Sequence, residues 1–176
     1  ITTLQWIFLV LFGLNFIWIS FAFSQALLGF LIRLTRSFPK KETNADFITA
    51  ILFPIYNEEP SRVTAAIQCM REDLINKAPG KYAFFILSDS NRAETWLAEE
   101  NAFIELFETQ DTRCPVFYRR RANNQERKAG NIAHWVTHWG NAYEAMIVLD
   151  ADSLMSAECM IRLSSRLAAS PHIGLI

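Results

Sequence analysis

At 176 residues, 51% of them apolar, the chain is long enough to bury one sizeable core. A net charge of −1 gives no whole-chain attraction to phosphate backbones, which sets aside non-specific nucleic-acid binding. Three scattered cysteines, Cys69, Cys114 and Cys159, include no C-x-x-C and are odd in number, which argues against a disulfide framework and for free thiols in a reducing compartment.

The chain begins without Met and stops inside an apolar run, His172 to Ile176, so it reads as a piece of a longer protein. Leu4 to Ile32 carries no charge. As a helix that stretch would rise roughly 40 Å, more than the ~30 Å hydrocarbon core of a bilayer. A signal peptide would need a basic start and a shorter apolar run. A buried soluble helix of this length is rare. Arg33, Arg36, Lys40 and Lys41 follow at once, which places the C-terminal side in the cytosol by the positive-inside rule. Residues 1–36 are therefore expected to form a transmembrane helix with its basic flank. Residues 37–46 then form a linker to a soluble domain.

From Phe47 onward strand and helix patterns alternate. Phe47 to Phe53 is an apolar run ended by Pro54. Pro60 opens a helix with Val63, Ala66, Ile67, Met70 and Leu74 at helical spacing, broken at Ala78-Pro-Gly80. Tyr82 to Leu87 reads as a buried strand. A helix over Ala93 to Glu108 offers Trp96, Phe103 and Phe107 to the core and Glu94, Glu99, Glu105 and Glu108 to solvent. Pro115 to Tyr118 is a short strand. Gly130 to Trp139 is a helix with Ile132, Trp135, Val136 and Trp139 on one side. Met146 to Leu149 is a buried strand. A helix from Ser156 to Ala168 turns Met160, Leu163 and Leu167 inward, and a further strand starts near His172. Strands separated by helix-length segments imply an α/β domain with a parallel sheet.

Ligands in open α/β sheets bind outside the carboxyl ends of the strands. There the first strand carries Pro54-Ile-Tyr-Asn-Glu58, the second Asp89, and the fourth Asp150-Ala-Asp152. In an extended segment Asp150 and Asp152 would point the same way and could share a hard divalent cation; a solvated turn would use the same residues. Tyr56 could stack on a base and Glu58 could accept a hydrogen bond from a uracil-like edge. Several acidic groups meeting at one edge favour a cation and a phosphate over a purely structural cluster. Between the strands, Arg119 to Arg121, Arg127 and Lys128 can neutralise a diphosphate. Lys128 and Gly130 lie where a loop enters a helix, a place that favours anions. The basic cluster is short and lacks interleaved aromatics, which speaks against nucleic acid. His134 and His138, four apart, have no third metal ligand nearby in the chain and read as a solvated pair.

Pro54-Ile-Tyr-Asn-Glu58, Asp89, Arg127-Lys-Ala-Gly-Asn131 and Asp150-Ala-Asp152 occur in an order that resembles the processive glycosyltransferases of family 2, the cellulose-synthase relatives. Ile86-Leu-Ser-Asp-Ser90, Phe117-Tyr-Arg-Arg-Arg121 and Val148-Leu-Asp-Ala-Asp-Ser153 are similar, more narrowly, to the branch that builds the glucose backbone of osmoregulated periplasmic glucans. The resemblance implies a GT-A fold over residues 47–176, truncated at its C-terminal end, and a membrane-bound, inverting enzyme of the bacterial inner membrane. It implies UDP-glucose as donor, a growing β-glucan as acceptor and Mg²⁺ or Mn²⁺ as cofactor. Tyr56, Glu58 and Asp89 would hold the uridine, Lys128 would lie by the diphosphate, and Asp150 and Asp152 would bind the metal. The acceptor-side Thr-Glu-Asp and Gln-x-x-Arg-Trp motifs do not occur in these residues, so they are expected beyond Ile176, and this piece is expected to bind a donor without turnover. Other readings are a different family 2 synthase such as cellulose synthase, a D-x-D phosphatase of the haloacid-dehalogenase type, and a non-catalytic membrane-anchored nucleotide sensor.

Overall fold

The structure is a computed structural model and describes residues 2–35, 45–108, 111–170 and 172–176. The chain divides into two units, Ile1–Lys41 and Glu42–Ile176.

The first unit is one helix, α1 (Thr3–Thr35). Its apolar residues run all round it, and none is buried. The Ser24 and Thr35 hydroxyls donate back to the carbonyls of Ser20 (2.7 Å) and Leu31 (3.0 Å), so their polar groups are satisfied within the helix. Its 33 residues rise roughly 50 Å, and it is long and apolar enough to cross a membrane. Arg33 sits in its last turn. Arg36, Lys40, Lys41 and positions 37–44 of the expected linker lie outside the described residues.

The second unit alternates strand and helix: β1 (Thr49–Ile55), α2 (Pro60–Lys77), β2 (Tyr82–Ser88), α3 (Ala93–Glu108), β3 (Val116–Arg120), α4 (Arg127–Trp139), β4 (Ala145–Val148) and α5 (Ala157–Ala168). All pairings are parallel, in the order β3-β2-β1-β4. The chain steps outward from β1 through β2 to β3, then returns to place β4 on the other side of β1. The carboxyl ends of β1 and β4 thus flank the point where the strand order reverses, where such sheets form a crevice.

Side-chain alternation sorts the core into two layers. Ile51, Phe53, Phe84, Ile86 and Val116 face α2, α3 and α5, with Val63, Ile67, Phe103 and Met160 packed against them. Ala50, Leu52, Ala83, Phe85 and Leu87 face α4 through Trp135. Phe85 meets the edge of Trp135 at 5.0 Å and stacks on Phe117 at 4.9 Å. Ser156 caps α5 by accepting from the Cys159 N–H, and Asp73 of α2 accepts from the Ala157 N–H at 3.0 Å, so two helices share one cap.

The structure departs from the sequence expectations at five places. Pro54 lies inside β1 and does not end it. The Ile55 carbonyl accepts from Asp89 on the β2 side and the Leu52 carbonyl from Leu149 on the β4 side. Pro54 shares the side of Leu52, past the last β1–β4 pair, Leu52↔Val148, so its missing N–H breaks no ladder bond. Strand β4 is an edge strand and not fully buried: Met146 and Val148 are exposed on the α4 face. Glu99 is fully buried, and Phe107, expected inward, is exposed. Helix α4 starts at Arg127, three residues before Gly130, and the chain enters it with Glu126 and Arg127 at left-handed φ values of 56° and 49°. This turn carries the backbone of Gln125 so close to Gly130 that a Cβ there would overlap the Gln125 carbonyl oxygen. Residues 172–176 form no strand.

Candidate functional site

The loops after β1, β2 and β4 meet the start of α4 around one cleft of about 630 Å³. Tyr56, Glu58, Asp89, Lys128, Asp150 and Asp152 all line it, together with Arg62, Asn124, Arg127 and Asn131. The sequence places these side chains in four separate segments. Parallel pairing brings the segments to one sheet edge.

The β1 loop turns at Asn57, whose φ is 54°, a left-handed conformation that Asn tolerates. Its N–H donates to the Ser90 hydroxyl (2.8 Å), and its amide donates to Asn91 Oδ1 (3.0 Å). Asn91 in turn donates to the Tyr56 hydroxyl at 3.2 Å. The β1 and β2 loops are therefore tied together, and Tyr56, about half exposed, stands at the cleft with its hydroxyl held.

Beneath this edge lies a polar group that composition and spacing did not reveal. Glu99 of α3 accepts hydrogen bonds from Ser88 (2.6 Å), Ser90 and Tyr118 (3.1 Å). Burial, and then the Glu99 charge, push the Tyr118 phenol up from its ordinary value. Ser88 and Ser90 bracket Asp89, so Glu99 fixes both neighbours of a cleft residue. Helical periodicity placed four glutamates of α3 on a mostly solvated face. Only the fold shows that Glu99 meets three hydroxyls, from β2, the loop after it and β3.

Asp89 is nearly buried and forms a two-armed ion pair with Arg121, Nη2 to Oδ2 at 2.9 Å and Nε to Oδ1. Arg121 Nη2 also donates to the carbonyls of Gln125 (2.9 Å) and Arg127 (2.8 Å), bracing the loop into α4. The expectation that Arg119 to Arg121 act together on a diphosphate therefore needs correction. Alternation along β3 sends Arg120 to one face, where it lies 4.5 Å from the Trp96 ring, and Arg119 to the other, where it donates to Asn131 Oδ1 (2.8 Å). Burial lowers the Arg119 pKa. Of the basic residues singled out, Arg127 and Lys128 line the cleft; Arg62, which spacing did not flag, lines it as well.

Asp150 and Asp152 both line the cleft, but not by strand alternation. The chain turns there, with the Ser153 N–H donating to the Asp150 carbonyl (2.9 Å) and the Asp150 N–H to the Ser153 hydroxyl (3.2 Å). A turn, not an extended segment, presents the two carboxylates. Lys128 is ion-paired with Asp150. Among the described residues no group of three or more His, Cys, Asp or Glu side chains is arranged to hold a metal ion. His134 and His138 stack at 4.1 Å on α4, with the His138 ring 2.8 Å from the His134 carbonyl and both rings beside Trp139.

Glucans biosynthesis glucosyltransferase H from Shewanella oneidensis is 42% identical over 179 residues, which cover 100% of this chain and 25% of that protein. The protein of that name from Vibrio cholerae is 43% identical, with the same coverage. The chain is homologous, over its whole length, to glucans biosynthesis glucosyltransferase H. It spans about a quarter of the length of the relatives it matches. No protein-family model matches it. A mannosyltransferase from Pyrobaculum calidifontis, solved in complex with GDP-Man and Mn²⁺, shares the fold with a TM-score of 0.56 at 18% identity, over 86% of this chain and 43% of that one. The parallel α/β sheet expected of a GT-A domain is thus present, and its fold is shared with a glycosyltransferase. Three strands precede β4, the strand that Asp150 follows, whereas the haloacid-dehalogenase reading needs the D-x-D after the first strand of the core.

Proposed function

We propose that the longer protein containing this chain transfers glucose from UDP-glucose to a growing β-glucan, the backbone of osmoregulated periplasmic glucans, and that the cleft binds the donor. The observation that carries this reading is the convergence of Tyr56, Glu58, Asp89, Lys128, Asp150 and Asp152 on one crevice at the strand-order reversal. The homology to glucans biosynthesis glucosyltransferase H supports the choice of donor and product.

Tyr56 offers a base a held aromatic face, and Glu58 offers a hydrogen-bond acceptor at the same end. Arg127 and Lys128 supply positive charge for a diphosphate. Asp150 and Asp152 fit Mg²⁺ or Mn²⁺: they are hard oxygen donors at one turn, and such ions take one or two carboxylates and complete their shell with substrate phosphates. The ion would stabilise charge on the departing UDP. Lys128, beside Asp150, stands where it can balance the charge of the same group. The acceptor and the general base are assigned to the rest of the longer protein. We assign α1 to the bacterial inner membrane as one span of several, in contact with lipid, with the α/β unit on the cytosolic side, where nucleotide sugars are made. A reporter fused after Phe47 that behaves as periplasmic would overturn that topology.

The donor assignment is tested by titrating the full-length protein with UDP. Removing the Tyr56 ring in Tyr56→Ala should weaken UDP by about five- to 150-fold, because aromatic–base stacking is worth ~1–3 kcal/mol in single-stranded nucleic-acid complexes. Unchanged UDP affinity in folded Tyr56→Ala would reject the stacking role. Equal affinity for all nucleoside diphosphates would reject uridine recognition.

A further inference from the structure

Arg62 lies in the first turn of α2, after Pro60 at its opening position. That is an unfavourable place for a cation, because the helix dipole puts partial positive charge there. Its side chain is exposed and lines the cleft, and no carboxylate among the described residues pairs with it. Glu58 lines the same cleft without forming an ion pair to it, and Glu59 accepts instead from the Ser61 hydroxyl at 2.8 Å. Arg127, at the start of α4, is likewise without a carboxylate partner among the described residues, whereas Lys128 is paired with Asp150 and Arg121 with Asp89.

The two helices lie on opposite faces of the sheet. Val63 and Ile67 of α2 pack on Ile51 and Phe53, while Trp135 of α4 packs on Ala50 and Leu52. The cleft therefore receives one uncommitted guanidinium from each face, over the edge between β1 and β4. An anion there would meet charge-assisted donors from both sides, and a guanidinium matches the paired oxygens of a phosphate.

We propose that Arg62 is a phosphate-binding residue of this cleft, acting from α2 on the diphosphate that Arg127 and Lys128 approach from α4. The assignment rests on the nucleotide-sugar reading above and adds a residue to it. It also accounts for a cation held against the helix dipole: the dipole and the guanidinium both attract the same anion. Arg62 supplies binding to the charged part of the ligand and none to the base.

The test compares UDP with uridine, which lacks the phosphates, by calorimetric titration of the full-length protein in the presence of Mn²⁺. In Arg62→Gln the affinity for UDP should fall roughly tenfold, the scale of one partly exposed charge-assisted hydrogen bond. Uridine should bind as in the parent. Arg62→Lys, which keeps the charge and loses the planar fork, should fall between the two, and the salt dependence of UDP binding should be shallower in Arg62→Gln than in the parent. Unchanged UDP affinity in a folded Arg62→Gln protein would overturn the assignment and leave the donor reading standing. A parallel loss for UDP and uridine would also overturn it, since it would place Arg62 at the base or in the fold. A parent protein that binds neither ligand would overturn the donor reading and this assignment together.

Discussion

Arg121 holds Asp89 with two guanidinium nitrogens, and both side chains are largely out of solvent, 12% and 4% exposed. The pair sits at the cleft edge and also carries the loop into α4 through the Gln125 and Arg127 carbonyls. Deleting one partner of a buried pair strands the other charge, at a cost of about 3–5 kcal/mol. Arg121→Met should lower unfolding stability by about that amount in chemical denaturation. Arg121→Met combined with Asp89→Leu should recover part of it, since no buried charge is then left unpaired. A double variant as unstable as the sum of its single substitutions would show that the ion pair does not organise this edge.

Glu99 makes a second, separable prediction. With three hydroxyls donating to one buried carboxylate, Glu99→Leu leaves all three without their acceptor. A buried donor left unsatisfied costs about 1–3 kcal/mol, so a loss of roughly 3 kcal/mol or more is expected in the same denaturation measurement. Glu99→Gln, which retains one acceptor oxygen, should lose less. Equal stability of parent and Glu99→Leu would contradict the burial of this group.

His134 gives the pH dependence. Burial, and then the nearby Arg119 charge, lower its pKa from the ordinary histidine value. As pH falls below ~6.5 the unfolded chain takes up the proton before the folded one does. The stability this group contributes is therefore complete above the ordinary histidine range and is lost as pH falls through the folded value. Thermal unfolding of the parent should drop more between pH 7.5 and pH 5.5 than that of His134→Gln; identical drops would remove His134 from the account.

Much of the fold was legible because its strands are short apolar runs between breakers. Tyr82 to Leu87 and Ala93 to Glu108 were read from sequence nearly to the residue. That Tyr56, Glu58, Asp89, Asp150 and Asp152 would meet at one cleft was legible because they are polar groups after such runs, and a parallel sheet collects strand ends at one edge. What stayed hidden depends on partners distant in the chain. Glu99 looks like its neighbours on α3 until Ser88, Ser90 and Tyr118 are seen around it. Arg71 is buried inside α2 because its Nε donates to the Cys114 carbonyl, 43 residues away. The three arginines 119–121 form one cluster in sequence, yet strand alternation sends neighbours to opposite faces. That signal was available, since Tyr118 already read as strand.

We propose above that Asp150 and Asp152 hold a divalent cation against the donor diphosphate of a glucosyltransferase. Transfer of radiolabelled glucose from UDP-glucose into glucan by the full-length protein tests it most directly. The assay compares the parent with Asp150→Asn and Asp152→Asn, with Mn²⁺ present or chelated. Groups that stabilise transition-state charge in this way are worth roughly 3–4 kcal/mol, so each variant should fall by about two to three orders of magnitude. The chelated parent should fall to a similar level. Asn variants that keep near-parental transfer, or a parent indifferent to chelator, would contradict the claim and leave the two aspartates as a polar turn after β4.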